Sequence, residues 1–290
     1  MAGADEAELS WAMSPTLRRP IVVVALQGLF DAAEAATAAV QRLARRHDAF
    51  EIARIDPENF FDFTQERPSV RFDDDGDRVL EWPENAFMAA AIDAHDRDLV
   101  LLAGVEPHLR WRTFSEQVLT VVRRTNADMV VTLGAMAGLA PHTRTLGVVG
   151  SSTNDVLAGR LGLGKPSYQG PTGLVGALHD LLDRAEVPVI SLRVSVPHYV
   201  PGPPNPEATR SLLSRFELVT GIESGHSDLD RAAKDWRTRI DAAVEGDDEM
   251  RTYVRQLEAQ VDEDADELLP SGDDLAAQLE AFLREHGPAD

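Results

Sequence analysis

The 290-residue chain contains no cysteine, which excludes disulfides, thiolate catalysis, iron–sulfur clusters and every zinc site built on sulfur. A reducing compartment suits such a chain. Long apolar runs are also missing: Ile21–Leu26, Leu99–Ala103 and Met129–Leu133 fall far short of the roughly 20 residues that a membrane span needs. No membrane partner is expected. The first twenty residues carry Asp5, Glu6 and Glu8 where an export signal would place a basic patch followed by an apolar run, so the expected location is cytoplasmic. There is no Gly-x-Ser-x-Gly elbow, no His-Glu-x-x-His and no strand-linked dinucleotide fingerprint. Hydrolase, metalloprotease and dehydrogenase readings lose their usual support, and neither a cofactor nor a metal is called for.

Basic residues are few, 28 against 49 acidic ones, for a net charge of −21. Such a field repels phosphate backbones, so nucleic acid is not an expected partner. The charge is uneven. From Asp241 to Asp290 sixteen acidic residues face three basic ones, leaving about −8 on the preceding body. With 43% hydrophobic residues, a chain of this length buries a full core without covalent or metal staples.

Ile21–Leu26 is a continuous β-branched run, the pattern of a strand buried on both faces of a parallel sheet. Leu29, Ala33, Ala36, Val40 and Leu43 then follow at helical spacing, and Phe50–Ile55 reads as the strand that completes a βαβ unit. Arg71–Phe72 and Arg78–Trp82 flank Asp73–Asp77, a hairpin with a charged turn. Asn85 is placed to cap a helix through Ala94. Strands are expected at Leu99–Ala103, Met129–Leu133, Leu146–Val149 and Val187–Val194, and helices near Trp111–Arg124 and Gly173–Arg184. Pro201–Pro206 forms an extended lip. Beyond it Glu207–Glu217, Asp228–Val244 and Met250–Val261 read as helices, the last with Tyr253, Leu257 and Val261 on one face. Asp262–Glu267 is a charge run expected to stay solvated, and Leu275, Leu279, Phe282 and Leu283 mark one more amphipathic helix. The alternation specifies an α/β fold with a mainly parallel sheet between helical layers. Three parts result: an N-terminal segment (1–20), an α/β domain (21–226) and an acidic helical extension (227–290).

Ligands of open parallel sheets bind beyond the carboxyl ends of the strands. That rule selects Glu106, His142, Arg144, His198 and Tyr199, an acid, two imidazoles, a guanidinium and a phenol suited to acid–base work or anion binding. The other reading is that Glu-Pro and Pro-His steps fix turns whose polar groups bond to loop backbone. Gly159–Lys165 matches a phosphate-binding loop until Pro166 stands where Ser or Thr would hold magnesium, and proline disfavours helix at Lys165. Gly170–Gly176 opens a helix with Thr172 as its expected cap and free amides able to hold an anion, or its glycines serve close packing. His179 suits a core or interfacial position.

Five motifs in order carry a resemblance: Gly28–Ala33, Gly104–Pro107 with Arg110–Trp111, Pro141–Arg144, Tyr168–Gly173 and Val196–Tyr199 with its proline-rich sequel. Together, over about residues 20–260, they resemble the bacterial branch of the proteasome assembly chaperone 2 family. The resemblance implies a three-layer α/β/α sandwich related to phosphorylase-like folds, formation of homo-oligomers, protein partners such as proteasome subunits, and no established catalytic activity. A small-ligand or enzymatic site at the strand ends is the alternative it leaves open. Relatives often dock through a hydrophobic-Tyr-x tail, whereas this chain ends Gly287–Asp290. Arg193 also stands where bacterial members are expected to carry an aromatic residue.

Overall fold

The computed structural model describes residues 8–200 and 202–268; the expected helix around Leu275–Leu283 lies outside them. In chain order the elements are β1 (Leu9–Trp11), β2 (Ile21–Gln27), α1 (Ala35–Arg46), β3 (Phe50–Ile55), β4 (Ser69–Phe72), β5 (Arg78–Glu81), β6 (Asn85–Ala90), β7 (Leu99–Val105), α2 (Trp111–Arg124) and β8 (Met129–Gly138). There follow β9 (Val148–Ser151), α3 (Asp155–Leu161), α4 (Leu174–Arg184), β10 (Val189–Pro197), α5 (Pro206–Thr220), α6 (Asp230–Glu245) and α7 (Asp248–Leu268).

Eight strands form one sheet in the order β1-β3-β6-β7-β2-β8-β10-β9, and β4 pairs only with β5 in a separate hairpin. The centre is parallel: β7, β2, β8 and β10 run together. The margins are antiparallel, with β6, β3 and β1 on one side and β9 on the other. Ile21, Val23 and Ala25 face one core with Val40, Leu43, Leu212 and Phe216. Val22, Val24 and Leu26 face the other with Phe114, Val118, Leu174 and Leu178. A strand buried on both sides has to be apolar at every position, because successive side chains point to opposite faces. Each such buried aliphatic side chain contributes about 1.5–3 kcal/mol.

Several local expectations are corrected. Asn85 starts a strand rather than a helix: its amide takes the N–H of Val105 at 3.1 Å and donates to the Val105 carbonyl at 3.2 Å. Its neighbours pair with both β3 and β7, a tertiary choice that outweighs local capping chemistry. The helix after β2 starts at Ala35, not Leu29, because Ala33 and Glu34 take left-handed φ values of 56° and 54°. Its first turn is held by Asp31, whose Oδ1 accepts from Ala36 N–H at 2.7 Å and whose Oδ2 accepts from the Thr37 hydroxyl. β3 lies three places from β2 in the sheet, so the expected βαβ crossover passes over β7 and β6. At Gly159–Lys165, as the sequence reading requires, no helix opens: Gly162 is the left-handed C-cap that ends α3. Finally, α7 continues through the acidic run to Leu268.

Candidate functional site

The parallel register sets β8 and β10 abreast at their carboxyl ends, with Pro197 opposite Gly138. His198 N–H reaches the Gly138 carbonyl at 3.3 Å and its Nδ1 lies 3.1 Å from the same oxygen. This closure brings the loop after β8, carrying Pro141–Arg144, against Tyr199.

The Tyr199 hydroxyl accepts from the His142 backbone N–H at 2.8 Å and lies 2.7 Å from His142 Nδ1. The Asp241 carboxylate, 3.0 Å from Nε2, can only accept, and burial favours the neutral imidazole, so Nδ1 is left as an acceptor and the Tyr199 hydroxyl donates its hydrogen bond to it. The ring proton sits on Nε2, which donates to Asp241 Oδ1. His142 is only 1% exposed. Burial holds its pKa below the ordinary imidazole value against the opposing pull of Asp241, and burial also raises that of the Tyr199 phenol. Tyr253 on α7 completes an edge-to-face stack: His198–Tyr199 and His198–Tyr253 centroids are 5.6 and 5.7 Å apart. The Tyr253 hydroxyl lies 3.2 Å from His198 Nε2.

Arg144 forms a fork onto Asp262, with Nε and Nη2 at 3.0 and 2.8 Å, and reaches Glu258 at 3.2 Å. The Thr143 hydroxyl also donates to Glu258. The Asp262 carboxylate, then Glu258, raise the guanidinium pKa, and Arg144 in turn lowers that of Asp262. Asp262 is paired with Arg144 while its side chain stays 56% exposed, so this end of the run remains solvated as expected.

Four of the selected residues, His142, Arg144, His198 and Tyr199, are brought together by the fold. Glu106 belongs to a different constellation. Its backbone N–H donates to the Gln27 carbonyl at 2.9 Å, while Oε1 accepts from Leu174 N–H at 3.2 Å and Oε2 from Leu29 N–H at 3.1 Å. The Glu106 carboxylate is therefore the anion at the start of α4, where aligned amides favour negative charge. Thr172 does not cap this helix as expected: Gly173 occupies the cap position with no side-chain bond. Gly28 is required here, since at φ 152° an added Cβ would lie 2.6 Å from Glu106 Oε2. His179 faces the sheet, with Nε2 2.9 Å from the Thr132 hydroxyl.

Asp241, Tyr253, Glu258 and Asp262 escaped the sequence reading as site residues. Tyr253 lay in a recognised apolar stripe, but nothing local ties α6 and α7 to loops roughly a hundred residues earlier. Chemically, the rim forms a joint. Its acid, imidazole and phenol form a linear hydrogen-bonded chain whose groups bind one another, and its guanidinium closes on the extension. Among the described residues no group of three or more His, Cys, Asp or Glu is placed to hold a metal ion. Among them, too, no helix is long and apolar enough to cross a membrane.

A model of the PAC2 family matches residues 25–244. A PAC2 family protein from Streptomyces avermitilis is 38% identical, with a TM-score of 0.76 over 81% of this chain and 99% of its own. A Mycobacterium tuberculosis proteasome-assembly chaperone homologue is 39% identical, with a TM-score of 0.73 over 81% and 99%. A Corynebacterium glutamicum protein of unknown function shares the fold, with a TM-score of 0.82 at 24% identity over 91% and 100%. No curated protein matches the chain.

Proposed function

The chain belongs to the PAC2 family, and on that premise we propose that it is a cytoplasmic, non-catalytic protein of assembly-chaperone type that self-associates and binds proteasome subunits. The observation that carries this reading is the 39% identity to a proteasome-assembly chaperone homologue across nearly all of that protein. The rim supports it. In place of a cleft with uncommitted acid, base and nucleophile, its side chains are spent on holding the C-terminal helices to the body. The division of labour that follows is an α/β body over residues 21–226 and a helical extension whose pose the rim fixes.

The reading is tested by following core-particle assembly from purified proteasome α and β subunits of the same organism on native gels. Added chain is expected to change the rate or the intermediates of assembly. Identical time courses with and without it, at stoichiometric excess, contradict the reading.

A further inference from the structure

One element has no place in the eight-stranded sheet. Among the described residues β4 and β5 pair only with each other, and an isolated two-stranded hairpin is at best marginally stable in water. Val70 pairs with Leu80 and Phe72 with Arg78, so Val70, Phe72 and Leu80 share one face, and they are 47%, 70% and 44% exposed. Trp82, just beyond β5, meets Phe63 edge to face with centroids 4.7 Å apart and is 46% exposed. An apolar face of this kind is the signature of an interaction site.

The charge around the face is one-sided. Asp73, Asp74, Asp75 and Asp77 crowd the turn, and from Glu66 to Glu84 seven carboxylates stand against three guanidinium groups. Of those three, Arg71 is already paired with Glu81. At the base of the arm a cleft of about 310 Å³ is walled by Glu34, Glu66, Glu81 and Glu84, with Arg67 and Trp82 beside them; Glu81 and Glu84 already pair with Arg71 and Arg54, which leaves Glu34 and Glu66 to face an incoming cation. Carboxylates next to an exposed indole suit a Lys or Arg side chain, which an aromatic face also attracts.

We propose that this arm is the docking surface for a partner-protein segment that combines apolar side chains with Lys or Arg. The apolar residues cover Val70, Phe72 and Leu80, the basic groups meet the acidic turn and cleft, and an outer strand edge of the hairpin supplies backbone pairing. A second copy of the chain is disfavoured because it brings the same acidic turn and a net charge of −21 to the contact. The inference rests on the protein-binding reading above and adds to it a surface and a partner chemistry.

The test uses the full chain and a short fluorescein-labelled peptide of alternating Val and Lys, with a Val–Glu peptide as its counterpart, read by fluorescence anisotropy. The Val–Lys peptide is expected to bind and the Val–Glu peptide not to. The double variant V70S/F72S should lose about tenfold in affinity. Asp→Asn at 73, 74, 75 and 77, which leaves the apolar face intact, should lose several-fold and flatten the salt dependence. Equal binding of both peptides, no binding of either, or wild-type affinity in both variants overturns the proposal. So does a wild-type dimer in light scattering that V70S/F72S abolishes, since a second copy then occupies the face. With proteasome subunits as the probe, undiminished capture by V70S/F72S overturns the arm while leaving the assembly reading. Peptide binding with no effect on proteasome assembly does the reverse.

Discussion

His142 Nε2 lies 3.0 Å from Asp241 Oδ1, although the two residues are 99 positions apart in the chain. One is buried in the loop after a central strand, and the other sits on an exposed stretch of the penultimate described helix. Their contact ties the loop after β8 to α6. Because the Asp241 carboxylate can only accept, the imidazole proton lies on Nε2, Nδ1 accepts from the Tyr199 hydroxyl, and the three side chains form one polarised chain.

Removing the phenol tests that assignment. Tyr199→Phe keeps the ring stack but leaves the buried His142 N–H and Nδ1 without their partner, at a cost of about 1–3 kcal/mol in urea unfolding. A double-mutant cycle with Asp241→Ala should show coupling through His142, because the two changes break one chain. Strictly additive effects would count against the chain.

A second expectation concerns acid. His179 is held down to about 4 by burial, with Arg193 adding to the effect, and His142 is lowered as well. The unfolded chain protonates these groups near 6.5 while the folded chain does not, so it binds more protons between those values. Stability is therefore complete above about 6.5 and falls as pH drops toward 4, with His179 alone accounting for about 2 kcal/mol at pH 5. His179→Gln, which retains a partner for Thr132, should shrink the difference in Tm between pH 7.5 and pH 5. An unchanged difference contradicts the assignment.

Arg144 is the second fastening. Arg144→Ala removes the fork to Asp262 and the contact with Glu258. Backbone amides of α7 are then expected to exchange faster with deuterium, while those of β2 and β8 keep their protection, because the loss is local to the extension. Faster exchange across the whole sheet would mean that Arg144 supports the core instead.

At the separate Glu106 constellation, Glu106→Gln turns one of two accepting oxygens into a donor facing either Leu29 or Leu174 N–H. Chemical denaturation should register a loss of about 1–3 kcal/mol. Gly28→Ala should cost at least as much, since its Cβ collides with the same carboxylate. A neutral Gly28→Ala variant would show that the loop moves freely and that the Glu106 cap is not required.

The fold was legible where burial dictates sequence. Ile21–Leu26 and Met129–Leu133 are apolar at every position because both faces of the central sheet are covered, and Trp111–Arg124 shows its stripe because only one face is. Asn85 was misread because an amide that caps a helix is equally able to clamp a strand end, and only the neighbouring strand decides which. The same limit governs the rim. His142, Arg144, His198 and Tyr199 stood out by their position after strands, yet their partners on α6 and α7 are set by how the extension folds back. Thr172 carried the right chemistry for a cap, but Glu106, distant in sequence, reached those amides instead.

If the proposed role holds, rim residues such as Arg144 order the extension so that the chain can bind its protein partners. Native mass spectrometry of the purified chain mixed with proteasome α-type subunits of the same organism decides the matter. Discrete complexes of defined stoichiometry are expected, and they should weaken in the Arg144→Ala variant. Spectra containing only the separate components, at concentrations where the subunits themselves assemble, would contradict that role.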